Sequence, residues 1–167
     1  MMVRKYLLLI LIITGSISAN AGDKVHALGL RGGISSGFEY RYYLSSANSV
    51  KLLLSTRDRG IQLHGLYEQH ANDIFDFSGR LTLVYGGGIH AGYESWNRSY
   101  YAGHTRYTES VSRPLAGFDL LAGLEYPFLI FPFSVGFEVK PYVDFWGKNY
   151  VRVQPFDFAF TFKFHFN

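Results

Sequence analysis

The chain has 167 residues, one domain's worth, with 18% aromatic and 17% charged residues and no cysteine. The lack of cysteine excludes a disulfide framework, a thiolate metal or redox site and a lipoprotein-type anchor. The formal net charge is +3, but of the 16 basic residues Arg4 and Lys5 lie in the leading segment, and the remaining 14 barely exceed the 13 acidic ones, so no nucleic-acid partner is expected.

Residues 1–21 read as a cleavable secretory signal. Arg4 and Lys5 precede the apolar run Tyr6-Leu7-Leu8-Leu9-Ile10-Leu11-Ile12-Ile13, and Ala19-Asn20-Ala21 is a small-x-small cleavage site. The run is shorter than the roughly 20 residues a spanning helix needs. Residues 22–167 then form one unit with eight expected strands: 25–33, 37–44, 50–57, 61–70, 80–94, 115–126, 133–146 and a last one reaching residue 166. Breaks are expected at 32–36, 45–49, 58–60, 71–79, 127–132 and 147–154, with the longest irregular segment at 95–114.

Alternation carries the assignment, because a period of two puts i, i+2 and i+4 on one face of a strand. In the second strand Phe38, Tyr40, Tyr42 and Leu44 oppose Glu39 and Arg41. The fourth is weaker, with Ile61, Leu63 and Tyr67 against His64, Glu68 and His70. In the fifth, Leu81, Leu83, Tyr85, Ile89, Ala91 and Tyr93 oppose Gly86, Gly88, His90 and Glu94. The sixth sets Phe118, Leu120, Leu124 and Tyr126 against Asp119 and Glu125, and the seventh sets Phe133, Val135, Phe137, Val139, Val143 and Phe145 against Glu138, Lys140 and Asp144. In the last strand Phe156, Phe158, Phe160, Phe162, Phe164 and Phe166 share a face opposite Asp157, Thr161, Lys163 and His165.

Two all-β architectures fit: a soluble sandwich with the rings inside, or a membrane barrel with the sense inverted. Side-chain volume favours the second. An eight-stranded barrel has room inside only for side chains to fill it. Six phenylalanines on one strand would overfill it, whereas glycines and spaced charges fit. The expectation is a closed eight-stranded antiparallel up-and-down transmembrane β-barrel, with Phe156, Phe158, Phe160, Phe162, Phe164 and Phe166 facing lipid. An even strand number puts both termini on one side, periplasmic for an exported chain, and sends the segment 95–114 outside.

Gly29-Leu30-Arg31-Gly32-Gly33, Tyr85-Gly86-Gly87-Gly88-Ile89-His90-Ala91-Gly92 and Gly123-Leu124-Glu125-Tyr126-Pro127 echo a pattern of short outer-membrane barrels. Over essentially all of 22–167 the chain resembles small outer-membrane β-barrel proteins of the OmpX and OmpA-domain type. The resemblance implies a fold, an outer-membrane location in a Gram-negative-type cell, a monomer, and outer-membrane lipids and the barrel-assembly machinery as partners. Such proteins end on an aromatic that the machinery recognises; here that aromatic is Phe166, one residue before the last.

The charges on the inner face, among them Glu39, Arg41, Asp119, Glu125, Glu138, Lys140 and Lys163, are expected to form an ion-pair network that fills the interior, because buried charges must be paired. His90, Glu94 and Asp144 are candidate catalytic residues for a lipid-modifying enzyme of the acyl-ester hydrolase type, near the outer rim. No serine is seen next to a histidine in a strand, and Ser36 and Ser95 fall in loops, so the leading expectation is non-enzymatic, with a narrow pore third. His64, His70 and His165 show no recurring ligand spacing, so no metal or other cofactor is expected. Gly86-Gly87-Gly88 lacks the Lys-Ser/Thr of a phosphate loop and is expected to allow tight curvature or close side-chain approach. Trp96, Tyr100, Trp146 and Tyr150 are expected to form an interfacial aromatic girdle, and the segment 95–114, mixing aromatics and arginine, is a candidate site for an extracellular ligand.

Overall fold

The computed structural model describes residues 25–167, apart from Asp58, Asp73, Asp76, Phe77, Gly103, His104, Lys148 and Asn149; the expected signal segment lies outside the described residues. Ten strands form one antiparallel sheet: β1 His26–Gly33, β2 Ser36–Tyr43, β3 Asn48–Arg57, β4 Gly60–Ala71, β5 Thr82–Ala102, β6 Thr105–Pro127, β7 Phe133–Val139, β8 Tyr142–Trp146, β9 Val151–Gln154 and β10 Phe158–Phe166. Consecutive strands pair from β1 to β6, β7 lies between β6 and β10, and β10 pairs with β1, so the pairings run in a ring of eight strands. β8 and β9 continue β7 and β10 beyond that ring and pair with β6 and with each other.

The expected seventh strand is therefore interrupted. Pro141 cannot donate a ladder hydrogen bond, and β7 stops at Val139 while β8 resumes at Tyr142. Similarly, Pro155 separates β9 from β10, so part of the expected loop 147–154 is strand and Phe156 precedes the last strand. Facing parity survives both interruptions: Glu138, Lys140, Tyr142 and Asp144 are all buried.

The largest correction concerns 95–114. Its described residues are strand; β5 and β6 pair residue for residue from Thr82↔Glu125 to Ala102↔Thr105. β4 accompanies β5 only as far as Tyr93, opposite Ile61, and β8 accompanies β6 only as far as Leu115, opposite Trp146. Beyond those points the two strands stand as a two-stranded ribbon. His26↔Phe166 pair at the opposite end of the ring, so the start of β1 and the end of β10 lie away from the ribbon. Tyr100 sits seven residues past Tyr93, about 23 Å along a strand, and stacks on Tyr107 with ring centroids 5.7 Å apart. It belongs to the ribbon and not to a girdle beside Trp146 and Tyr150.

Radial order is inverted relative to a water-soluble core. Buried positions hold Arg31, Arg41, Lys51, Lys140, Lys163 and their acidic partners, whereas Phe38 is 69% exposed, Phe118 61% and Phe160 71%. Phe156, just before the last strand, and Phe158, Phe160 and Phe162 within it are exposed; Phe164 and Phe166 lie on the same outward face, half-covered. Phe164 packs on Phe133 and Phe166 on His26. Glycines permit the tight coiling of the wall: a Cβ at Gly86 or Gly88 would collide with the carbonyl oxygens of Tyr67 and Gly65 on β4.

Candidate functional site

The interior is one continuous alternation of opposite charges. Glu125 meets Arg41 at 2.7 Å, Arg41 meets Glu68 at 2.7 Å, and Glu68 meets Lys51 at 2.8 Å. Lys51 lies 2.9 Å from Glu138, which also takes Arg31 at 2.7 Å. Lys163 joins Glu125 at 3.0 Å, Glu39 at 3.2 Å and Glu138 at 3.4 Å. In this first cluster four cations (Arg31, Arg41, Lys51, Lys163) balance four carboxylates (Glu39, Glu68, Glu125, Glu138).

Arg31 also reaches Asp157 at 3.3 Å, and so links to a second cluster. There Lys140 lies 3.4 Å from Asp157 and 3.1 Å from Asp119 Oδ1. Asp119 Oδ2 takes His64 Nδ1 at 2.9 Å and His90 Nδ1 at 3.0 Å. His90 Nε2 meets Asp144 Oδ1 at 2.9 Å, and Arg152 holds Asp144 at 2.7 Å and Glu94 at 3.2 Å. Here the carboxylates are Asp157, Asp119, Asp144 and Glu94, and they meet Arg31, Lys140 and Arg152 as well as the two imidazoles.

Register explains how the second cluster assembles. His64 is opposite His90, His90 opposite Gly117, Gly117 opposite Asp144, and Asp144 opposite Arg152. One row thus crosses β4, β5, β6, β8 and β9. Gly117 is what lets His90 cross β6: a Cβ there would lie 2.6 Å from His90 Cε1. Asp119, two residues on from Gly117 along the inner face, reaches back to both imidazoles.

Serines stand beside histidines after all, contrary to the sequence reading. Ser55 Oγ lies 2.9 Å from His64 Nε2, Ser49 Oγ 2.8 Å from His70 Nε2, and Ser134 Oγ 2.8 Å from His165 Nε2. In each case the histidine sits two residues past the residue opposite the serine: Glu68 for Ser49, Gln62 for Ser55, Lys163 for Ser134. Such diagonals are invisible to a search along one strand. The hairpin register carries them, since Ser55 and His64 flank the short connection after Arg57 and share the inner face.

Ser55, His64 and Asp119 therefore have the hydrogen-bond order of a nucleophilic triad. All three are enclosed, however, with Ser55 1% exposed and His64 0%. His90 and Asp144, two of the candidate catalytic residues, are brought together; Glu94 is held by Arg152 instead of by His90. Of the three histidines without a recurring ligand spacing, His70 and His165 sit apart from His64 on their own serines. His64 joins His90 and Asp119 in a group whose ligand-type atoms all lie within 4.8 Å of one another.

Among solved structures the chain is similar to the N-terminal β-barrel domain of Pseudomonas aeruginosa OprF. The identity is 12%, over 84% of this chain and 95% of that one, with a TM-score of 0.48. No family model matches the chain, and no curated protein matches it.

Proposed function

We propose that the chain is an integral outer-membrane β-barrel protein, closed by eight strands, with a lumen plugged by ion pairs. Its role is structural, or one of surface interaction through the β5–β6 ribbon. The observation that carries this reading is the inverted radial order: lysines and arginines sealed inside, phenylalanines exposed outside. In water that arrangement would leave a large apolar surface wet and charges buried, unfavourable at both faces. In a bilayer both faces meet a suitable medium, and a ring of strands leaves no unpaired edge within the hydrocarbon.

Strand length supports the same reading. About 9–11 tilted residues cross the hydrocarbon layer, and β3 and β4 have 10 and 12 residues. Both chain ends are then periplasmic, the ribbon is extracellular and open to a ligand, outer-membrane lipids cover the wall, the assembly machinery is met at β10, and the barrel is monomeric. The test is electrophoretic. The mature chain refolded in detergent should migrate faster unheated than boiled, and a detergent-independent soluble monomer would end the reading.

A rim enzyme is the second reading, favoured by the Ser55–His64–Asp119 order and the His90–Asp144 contact. Hydrolysis of acylated lipid A analogues that is lost on His90→Ala would replace the structural role with it.

A further inference from the structure

The second charge cluster differs from the first in carrying two buried imidazoles. Asp157 pairs with Arg31 and Lys140, and Asp144 and Glu94 pair with Arg152. Asp119 meets Lys140 through Oδ1, while its Oδ2 faces the Nδ1 atoms of both His64 and His90. One buried carboxylate oxygen and two imidazole nitrogens thus converge on a single point.

We propose that His64 Nδ1, His90 Nδ1 and Asp119 Oδ2 bind one divalent transition-metal cation inside the barrel. These atoms come from three adjacent strands and already converge, with both nitrogens within 3.0 Å of the same carboxylate oxygen. Two imidazoles and one carboxylate suit Zn²⁺, Co²⁺, Ni²⁺ or Fe²⁺ and leave further positions open. Lys140 does not compete for the same atom, since it holds Asp119 through Oδ1 at 3.1 Å.

The outer partners fit as well. A metal on Nδ1 requires the ring proton on Nε2, and each Nε2 faces an acceptor: Ser55 Oγ at 2.9 Å for His64, Asp144 Oδ1 at 2.9 Å for His90. The His90–Asp144 pair is the carboxylate–histidine arrangement that orients metal-bound imidazoles elsewhere. The inference depends on the ring of strands and its register, not on which medium covers the outer face.

The experiment uses the mature chain refolded in detergent, with folding scored by the heat-modifiable shift. ZnCl₂ titrated calorimetrically should bind at one ion per chain, and Co²⁺ should give a visible d–d spectrum that Zn²⁺ abolishes. His64→Asn and His90→Asn keep a nitrogen donor toward Asp119 but remove the imidazole, and each should weaken Zn²⁺ binding by at least about tenfold. Asp144→Asn should weaken it by about tenfold, as loss of an orienting carboxylate does. In the unsubstituted chain, Co²⁺ should broaden the NMR signals of His64 and His90 before those of His70 and His165, a readout that needs no variant to fold. Folded wild-type chain without one-to-one binding would overturn the proposal, as would binding undiminished in folded His64→Asn or broadening centred on another histidine.

Discussion

The β5–β6 ribbon continues two strands of the eight-stranded ring, yet only their ring portion alternates. In β6, Phe118, Leu120 and Leu124 point outward while Asp119, Leu121, Gly123 and Glu125 are buried. Further up the same strand, Thr108, Glu109, Ser110, Ser112 and Arg113 are all exposed. A two-residue period appears in sequence only where the two faces of a strand meet different surroundings. In the ribbon both faces meet the same one, so strand-forming residues such as Tyr100, Tyr107, Thr108 and Val111 carry no binary pattern. Strand and alternation are separate properties.

That comparison predicts a steep ordering of substitution effects. Inside the ring, Glu138 serves Arg31, Lys51 and Lys163 at once. Glu138→Gln should destabilise the folded state by about 3–5 kcal/mol, the usual scale for breaking a buried pair. A denaturant titration in lipid vesicles reads it, and a loss under 1 kcal/mol would mean the interior is wet. On the outer wall, Phe160→Arg should cost roughly 2–4 kcal/mol if that site lies at mid-bilayer. Thr161→Arg, one residue along, places its guanidinium in a filled interior and should respond differently to lipid thickness. Equal and thickness-independent costs would dissolve the distinction between the two faces.

Ribbon changes should be smallest. Tyr101 is 73% exposed, and Tyr101→Arg should shift stability by no more than about 0.5 kcal/mol. Replacing residues 96–112 with a short turn should leave the heat-modifiable shift and the unfolding midpoint of the barrel in place. A large loss on that excision would show that the ribbon is part of the ring's cooperative unit.

Much of the ring was legible residue by residue. The parity of Glu39 and Arg41, of Asp119 and Glu125, and of Glu138, Lys140 and Asp144 placed each on the inner face, where the structure buries it. The glycines at 86 and 88 were read as allowing tight curvature or close side-chain approach; what lies close to them is backbone, the carbonyl oxygens of Tyr67 and Gly65. What failed were inferences that needed a partner strand. The Ser55–His64 and Ser134–His165 contacts join residues 9 and 31 positions apart, and no pattern within one strand announces a diagonal between two.

By itself, the sequence determined which residues share a face and that one face is bulky and the other charged, because alternation is a local property of an extended backbone. Only the tertiary structure decided that His64, His90, Gly117, Asp144 and Arg152 fall in one row, and that the described residues of 95–114 are paired backbone instead of loop. Row membership depends on the register of five strands, which turns and interstrand hydrogen bonds set jointly. A ribbon with one environment on both sides leaves no periodic trace to read.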